Sequence, residues 1–548
     1  MPRAHANHRV LLAVPLLATL AACGSGGGSM GPTASQPPPG GSSGPPPTPS
    51  QPTSITTYKY DISRSGQNLT ESVLTTANVN PSSFGLLRFL SADGKVDAQP
   101  LYLSGLSVQG GTHNVVYVAT ENDSVYAFDS DSGATLWHVS LLGGGETPSD
   151  PLGCSQIVPQ IGITATPVID PSAGAHGTLF AVAMSKDTSG NYYQRLHALD
   201  VTSGAELLNG PVTIAATYPV MGGSMSFDAQ QYAERAALLL SQGTLYLSFT
   251  SHCDSPPYSG WVLAYSEQTL AQTAAFNAAP NSGGGGPAIW MAGGGPAADS
   301  AGNLYLLTAN GAFETTLDAN GFPSAGDYGN SFLKLNGTTL AVIDYFAMAN
   351  EVAESASDTD LGSGGIMLLP DLLDANGTTQ YLAVGAGKDQ NLYVVSRSAL
   401  GKFSPSANNI WQVVSGDLPG GIWSTPAYFN HTVYYGPVGS ALAAFSIANA
   451  KLTLSGTTTV SFPYPGTAPV VSANGSSNGI VWAHENSSPA VLHAFDASLL
   501  AHELYNSSQA ANGRDQFGDG NKFINPIVAD GKVFVGTPTG LAVFGLLN

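Results

Sequence analysis

Residues 115–133 read VVYVATENDSVYAFDSDSG. This is a β-branched and aromatic run, a polar turn, a second such run and an Asp-Ser-Gly turn, the pattern of a β-hairpin. Similar units begin at Thr178, Thr244, Asn303, Tyr381, Thr432, Ile480 and Lys532. Each is preceded by a short, small or apolar segment, often opened by proline: AQPLYLS from Ala98, ATPVIDP from Ala165, RAALLLS from Arg235, GGPAADS from Gly294, GGIMLLPD from Gly364, STPAYFN from Ser424, TAPVVSA from Thr467 and INPIVAD from Ile524. Such segments suit strands packed tightly around an axis, where proline is tolerated at a strand's first residue.

Eight hairpins, eight companions and an outer strand such as TLWHVSL from Thr135 predict an all-β fold. The expected architecture is an eight-bladed β-propeller of four-stranded antiparallel blades over 57–548. The ends of the chain bear on closure. No outer strand follows the last hairpin, and GLLRFLSADGK, from Gly85, has no hairpin before it. That N-terminal stretch is predicted to be the outer strand of blade eight, which removes an otherwise open edge.

Composition agrees with a turn-rich, core-forming chain. Of 548 residues, 43% are hydrophobic and 10% charged, with 65 Gly and 37 Pro. The net charge is −20, and no basic block occurs anywhere, which argues against a nucleic-acid partner. Residues 1–22 read as a signal peptide: Arg3 and Arg9 precede a short apolar run that ends in Leu20-Ala21-Ala22-Cys23. That ending resembles the bacterial lipobox, which implies lipid on Cys23 and, with Gly24 and Ser25 following, an outer-membrane address in the cell envelope. Residues 23–56 are rich in Gly, Pro and Ser and are expected to serve as a tether.

Antiparallel pairing places the loops entering the inner strands and the loops joining the middle strands on one face. Those loops carry Glu121, Asn122, Asp123, His252, Asp254, Trp290, Asp360, Lys388, Asp389, His484, Glu485, Asn486, Lys522 and Asn525. Carboxylates, amides and lysines around one mouth suit a calcium ion and an anionic or carbonyl ligand. Each also has a structural reading. Glu121-Asn122-Asp123 has the composition of a tight turn, and His252 and His484 read equally as loop histidines bonded to backbone. The FDSDSG turn lacks the later Glu of a calcium loop, and GGSMS is a poor match to a hydrolase nucleophile motif.

The unit VYVATENDSVYAFDSDSGATLW resembles the repeat of pyrroloquinoline-quinone (PQQ) type propellers, found in quinoprotein alcohol dehydrogenases and in non-enzymatic bacterial lipoproteins of outer-membrane assembly. In GKDQNLY, Lys388 resembles the lysine of the KDG turn that contacts the quinone in the dehydrogenases. Under the enzymatic reading the candidate catalytic residues are Asp360 and Lys388. The candidates around PQQ are Lys388, Asp389, Trp290, Trp423, Lys522 and Asn525, and those around calcium are Glu121, Glu485 and Asn486. The chain also departs from those enzymes, with no adjacent Cys-Cys pair and no C-x-x-C-H haem signature. These departures favour a non-catalytic binding or scaffold lipoprotein with an envelope protein or glycan as partner. A PQQ- and calcium-dependent alcohol dehydrogenase is the alternative. With Cys23 assigned to lipid, Cys154 and Cys253 remain, in loops expected on the same face of neighbouring blades; in an exported domain they are predicted to form a disulfide.

Overall fold

The computed structural model describes residues 54–547, so Cys23, the signal peptide and most of the tether lie outside the described residues. The eight expected blades are present, and their innermost strands are Leu101–Val108, Val168–Asp170, Leu239–Ser241, Ala297–Ala298, Met367–Leu368, Ala427–Phe429, Val470–Asn474 and Ile527–Ala529. Blade one is typical: after Leu101–Val108 the chain runs through Gly111–Ala119, Ser124–Asp129 and Thr135–Ser140, each antiparallel to the one before. Continuous apolar runs such as VVYVA bury both faces, because each blade is packed between two others.

Closure follows the sequence expectation. Phe84–Ser91 pairs antiparallel with Gly540–Leu546, so the N-terminal strand is the outer strand of blade eight. Phe84, fully buried, locks this strand to the preceding blade. Its ring lies 5.4 Å from that of Trp482 and 4.9 Å, edge-on, from that of Tyr505. Aromatic pairs at these separations contribute beyond their buried area.

The stretch ITTYKYDISRSGQN, residues 55–68, has a role that its polar composition does not announce. It threads around the axis and bonds to every blade in turn. Ile55 exchanges backbone hydrogen bonds with Tyr102 of blade one, and the Thr56 carbonyl accepts from Ile169 of blade two. Ala298, Leu368, Tyr428 and Val471 of blades four to seven donate to the carbonyls of Ile62, Ser63, Ser65 and Gly66. Blade eight receives the Asn68 side-chain amide, which donates to the Val528 carbonyl at 2.9 Å. Blade three is reached by Arg64, whose guanidinium donates to the Leu238 carbonyl, the Pro296 carbonyl, the Tyr58 carbonyl and Thr57 Oγ1 at 2.8–3.1 Å. The inner edges of eight strands would otherwise present unpaired backbone groups to the axis, and this thread satisfies them.

Candidate functional site

The inner strands begin at one rim of the ring, and the axial thread crosses just beyond their first residues. Above it lies an axial cavity of about 260 Å³. Trp290, Trp423, Tyr464 and Phe523 supply its aromatic surface; the Trp423 and Tyr464 rings meet edge-on at 5.6 Å and those of Tyr464 and Phe523 at 6.0 Å. Phe523 is fixed from beneath: Arg235, 1% exposed, donates to its carbonyl at 3.0 Å and to the Thr164 carbonyl at 3.0 Å.

The cation of the cavity is Lys388, which stands among the carboxyl groups of Asp254, Asp358 and Asp360. Its Nζ lies 2.6 Å from Asp360 Oδ2 and 3.0 Å from Asp358 Oδ1. Local backbone makes this possible. Lys388 N–H donates to the Asp360 carbonyl at 2.8 Å, and a Cβ on the preceding Gly387 would stand 2.1 Å from that same oxygen. Only glycine permits so close an approach. Asp360 Oδ1 in turn accepts the Asn310 N–H at 2.8 Å, and Asn310 Nδ2 donates to Asp358 at 3.2 Å. Burial raises the Asp360 carboxyl above its usual range, against the opposing pull of Lys388. For Lys388 burial works downward, but the two carboxylates prevail and hold the ammonium above its ordinary value. The ammonium is therefore charged at neutral pH and faces the cavity between tryptophans.

Cys154 and Cys253 are disulfide-bonded in the structure, with Cα atoms 5.3 Å apart, and Cys253 lines the axial cavity beside Asp254. The lack of an adjacent Cys-Cys pair in the sequence therefore does not leave the cavity without a disulfide. A disulfide between residues 99 positions apart stands at the cavity, where the sequence offers no adjacent pair.

The remaining predicted residues are dispersed. Asp389 turns away from the cavity and accepts from Tyr393 Oη at 2.6 Å and Asn391 Nδ2 at 2.9 Å. Asn525 is buried and donates to Gln99 Oε1 at 2.8 Å. Glu485 Oε2 lies 3.1 Å from His493 Nε2, whereas Glu121 and Asn486 line a second, outer cavity with Lys522. These three do not converge on one point, and among the described residues no group of three His, Cys, Asp or Glu side chains is arranged to hold a metal ion. Asp358, Gln156 and Tyr464, which line the axial cavity, and Asn310, which bonds to Asp358 and Asp360, were not anticipated. A signal existed for Asp358, which stands two residues before Asp360 in SDTD.

An eight-bladed propeller with a rim-side axial cavity is the class that fold and site define. The sequence matches no family model and no curated protein. Solved structures are similar in fold. A quinohemoprotein alcohol dehydrogenase from Comamonas testosteroni matches at 14% identity and TM-score 0.59, over 90% of this chain and 80% of that one. A quinohemoprotein alcohol dehydrogenase from Pseudomonas putida matches at 13% identity and TM-score 0.60, with the same coverage. A europium-containing methanol dehydrogenase matches at 14% identity and TM-score 0.58, over 90% of this chain and 98% of that one. At such identity the likeness is one of fold, and function has to be argued from the site.

Proposed function

We propose that the protein is an envelope-tethered propeller that binds a small planar ligand bearing a carbonyl or acidic group in its axial cavity. One observation carries this: a charged, carboxylate-anchored Lys388 faces a cavity walled by Trp290 and Trp423. Flat aromatic walls favour a planar molecule, and the ammonium favours an oxygen acceptor on its edge. Tethering is a proposal from the lipobox; acyl mass on Cys23 of the mature N-terminus, found by mass spectrometry, supports it, and an unmodified Cys23 in native membranes refutes it.

A second reading, a quinone-dependent oxidoreductase, is favoured by the disulfide beside the cavity. A bound quinone would supply two-electron acceptance, Trp290 and Trp423 would flank its ring, and Lys388 would hold a ring carbonyl. Calcium does not fit the same residues: both oxygens of Asp360 and the Oδ1 of Asp358 already take N–H donors. Metal dependence is accordingly no part of this reading. Titrating the full-length mature protein with PQQ, with and without calcium, and following tryptophan fluorescence tests both. Saturable quenching independent of calcium and lost in Lys388→Ala is expected. No binding overturns the quinone reading, and alcohol-dependent dye reduction by the loaded protein places the oxidoreductase reading first.

A further inference from the structure

A second cavity, about 880 Å³ and open to solvent, lies on the same rim where blades seven, eight and one meet. Of its lining residues, Tyr464 alone also lines the axial cavity. A small partition separates the two: Lys522 Nζ donates to Gln156 Oε1 at 3.0 Å, and Tyr464 Oη donates to the same oxygen at 3.4 Å.

Deep in the outer cavity stands a linked set of groups. Lys95 Nζ lies 2.9 Å from Glu121 Oε1 and 3.6 Å from Asp97 Oδ1, and Asn521 Nδ2 donates to Asp97 Oδ1 at 2.9 Å. No N–H or hydroxyl reaches Glu121 Oε2, whose neighbour is the Asp97 carboxyl. Burial and that neighbour push the Glu121 carboxyl far above its usual range, while Lys95, against the cost of burial, holds Asp97 below its own. Asn521, 2% exposed, has an Oδ1 without a donor. Lys522 has uncharged partners, Gln156 Oε1 and the Ser155 carbonyl.

These groups ask for a ligand that both donates and accepts hydrogen bonds at close intervals. A dianion would approach Asp93 and Asp97, and a cation would approach Lys95 and Lys522, so neither charge is favoured. Tyr464 is 42% exposed and, with Pro159 and Pro538, offers a flat apolar patch on the wall. Vicinal hydroxyls on a ring with an apolar C–H face meet both demands. We infer that the outer cavity is a saccharide-binding site, distinct from the axial one.

The test uses the full chain with its disulfide intact and three probes: maltotriose, cellotriose and the trimer of N-acetylglucosamine. Calorimetry and saturation-transfer NMR should show at least one of them binding. Gln160→Ala combined with Asn486→Ala, both at the rim of the cavity, should weaken binding about tenfold, as expected for one or two lost hydrogen bonds. Asn521→Leu should weaken it at least as much, with an unchanged thermal melt excluding misfolding; if that variant fails to fold, the rim variant decides. Trp290→Ala, in the axial cavity, should leave saccharide binding unchanged while it weakens the planar ligand, so the two site assignments fail separately. Binding of none of the trimers, displacement of a bound trimer by inorganic phosphate or citrate, or loss in Trp290→Ala with retention in the rim variant would overturn the inference.

Discussion

Lys388 Nζ sits 2.6 Å from Asp360 Oδ2, and this ion pair is mostly enclosed, with side-chain exposures of 22% and 8%. Removing the cation strands a buried carboxylate. Lys388→Met is expected to destabilise by about 2–3 kcal/mol, below the figure for a fully buried pair because Lys388 keeps some contact with water. Urea unfolding measures it. The double variant Lys388→Met, Asp360→Leu should recover most of the loss, since it removes both charges together.

The disulfide closes a separation of 99 residues. In the chain-entropy model such a link stabilises by about 4–5 kcal/mol. Cys154→Ser should lower stability by about that amount in denaturant unfolding without a change of fold. The same variant should weaken any ligand of the axial cavity, because Cys253 and Asp254 both line it. Two titratable thiols in the unreduced, denatured mature protein would contradict the bond.

His493 is buried between two carboxylates, with Nδ1 at 2.7 Å from Glu503 Oε1 and Nε2 at 3.1 Å from Glu485 Oε2. Burial works to lower its pKa, but the two acids raise it above the usual 6.5. A raised imidazole stabilises the fold fully below pH 6.5, and that contribution fades as pH climbs through the folded value. Glu485 is held below its ordinary 4.5, chiefly by the hydrogen bond to His493, so its share is present above 4.5 and fades as pH falls. The melting temperature should therefore gain from this cluster most strongly between pH 4.5 and 6.5. His493→Gln should flatten the fall in melting temperature between pH 6 and pH 8; an unchanged slope would count against the assignment.

Much of this architecture is legible in the chain, because hairpins and inner strands are local patterns. Strand closure could be read as well, from GLLRFLS having no hairpin before it and the last hairpin lacking an outer strand. The site was less accessible. Lys388 could be found from its turn, yet Asp389, beside it, spends its carboxylate on Asn391 and Tyr393. Glu485 belongs to a strand and meets His493 on the next one. Gln156, Asp358 and Tyr464 come from long loops whose path is set by packing rather than by a period of two. The axial thread was missed for a related reason: its backbone bonds to six different blades and its Arg64 and Asn68 side chains to the other two, so no repeat of its own appears.

Arg64 makes four hydrogen bonds from a fully buried position, to partners in the thread and in blades three and four. Arg64→Ala would leave several carbonyls without donors, and a cost of about 3–5 kcal/mol is expected. Arg64→Lys should not restore it, since one ammonium cannot reproduce a planar fork of donors. Guanidinium unfolding of both variants is the measurement; a loss within about 0.5 kcal/mol would show that the thread is peripheral to stability.

The bond between Asn68 and Val528 joins residues 460 positions apart. The thread leaves the ribosome before any blade, while its eighth partner is made almost last. Order of synthesis and order of completion thus run in opposite directions. Closing so long a loop carries a large entropic cost, and topologies dominated by distant contacts fold slowly. A chain truncated after its early blades retains the thread but lacks several of the strands that bond to it. Commitment to the native ring is thereby deferred until the full length is present.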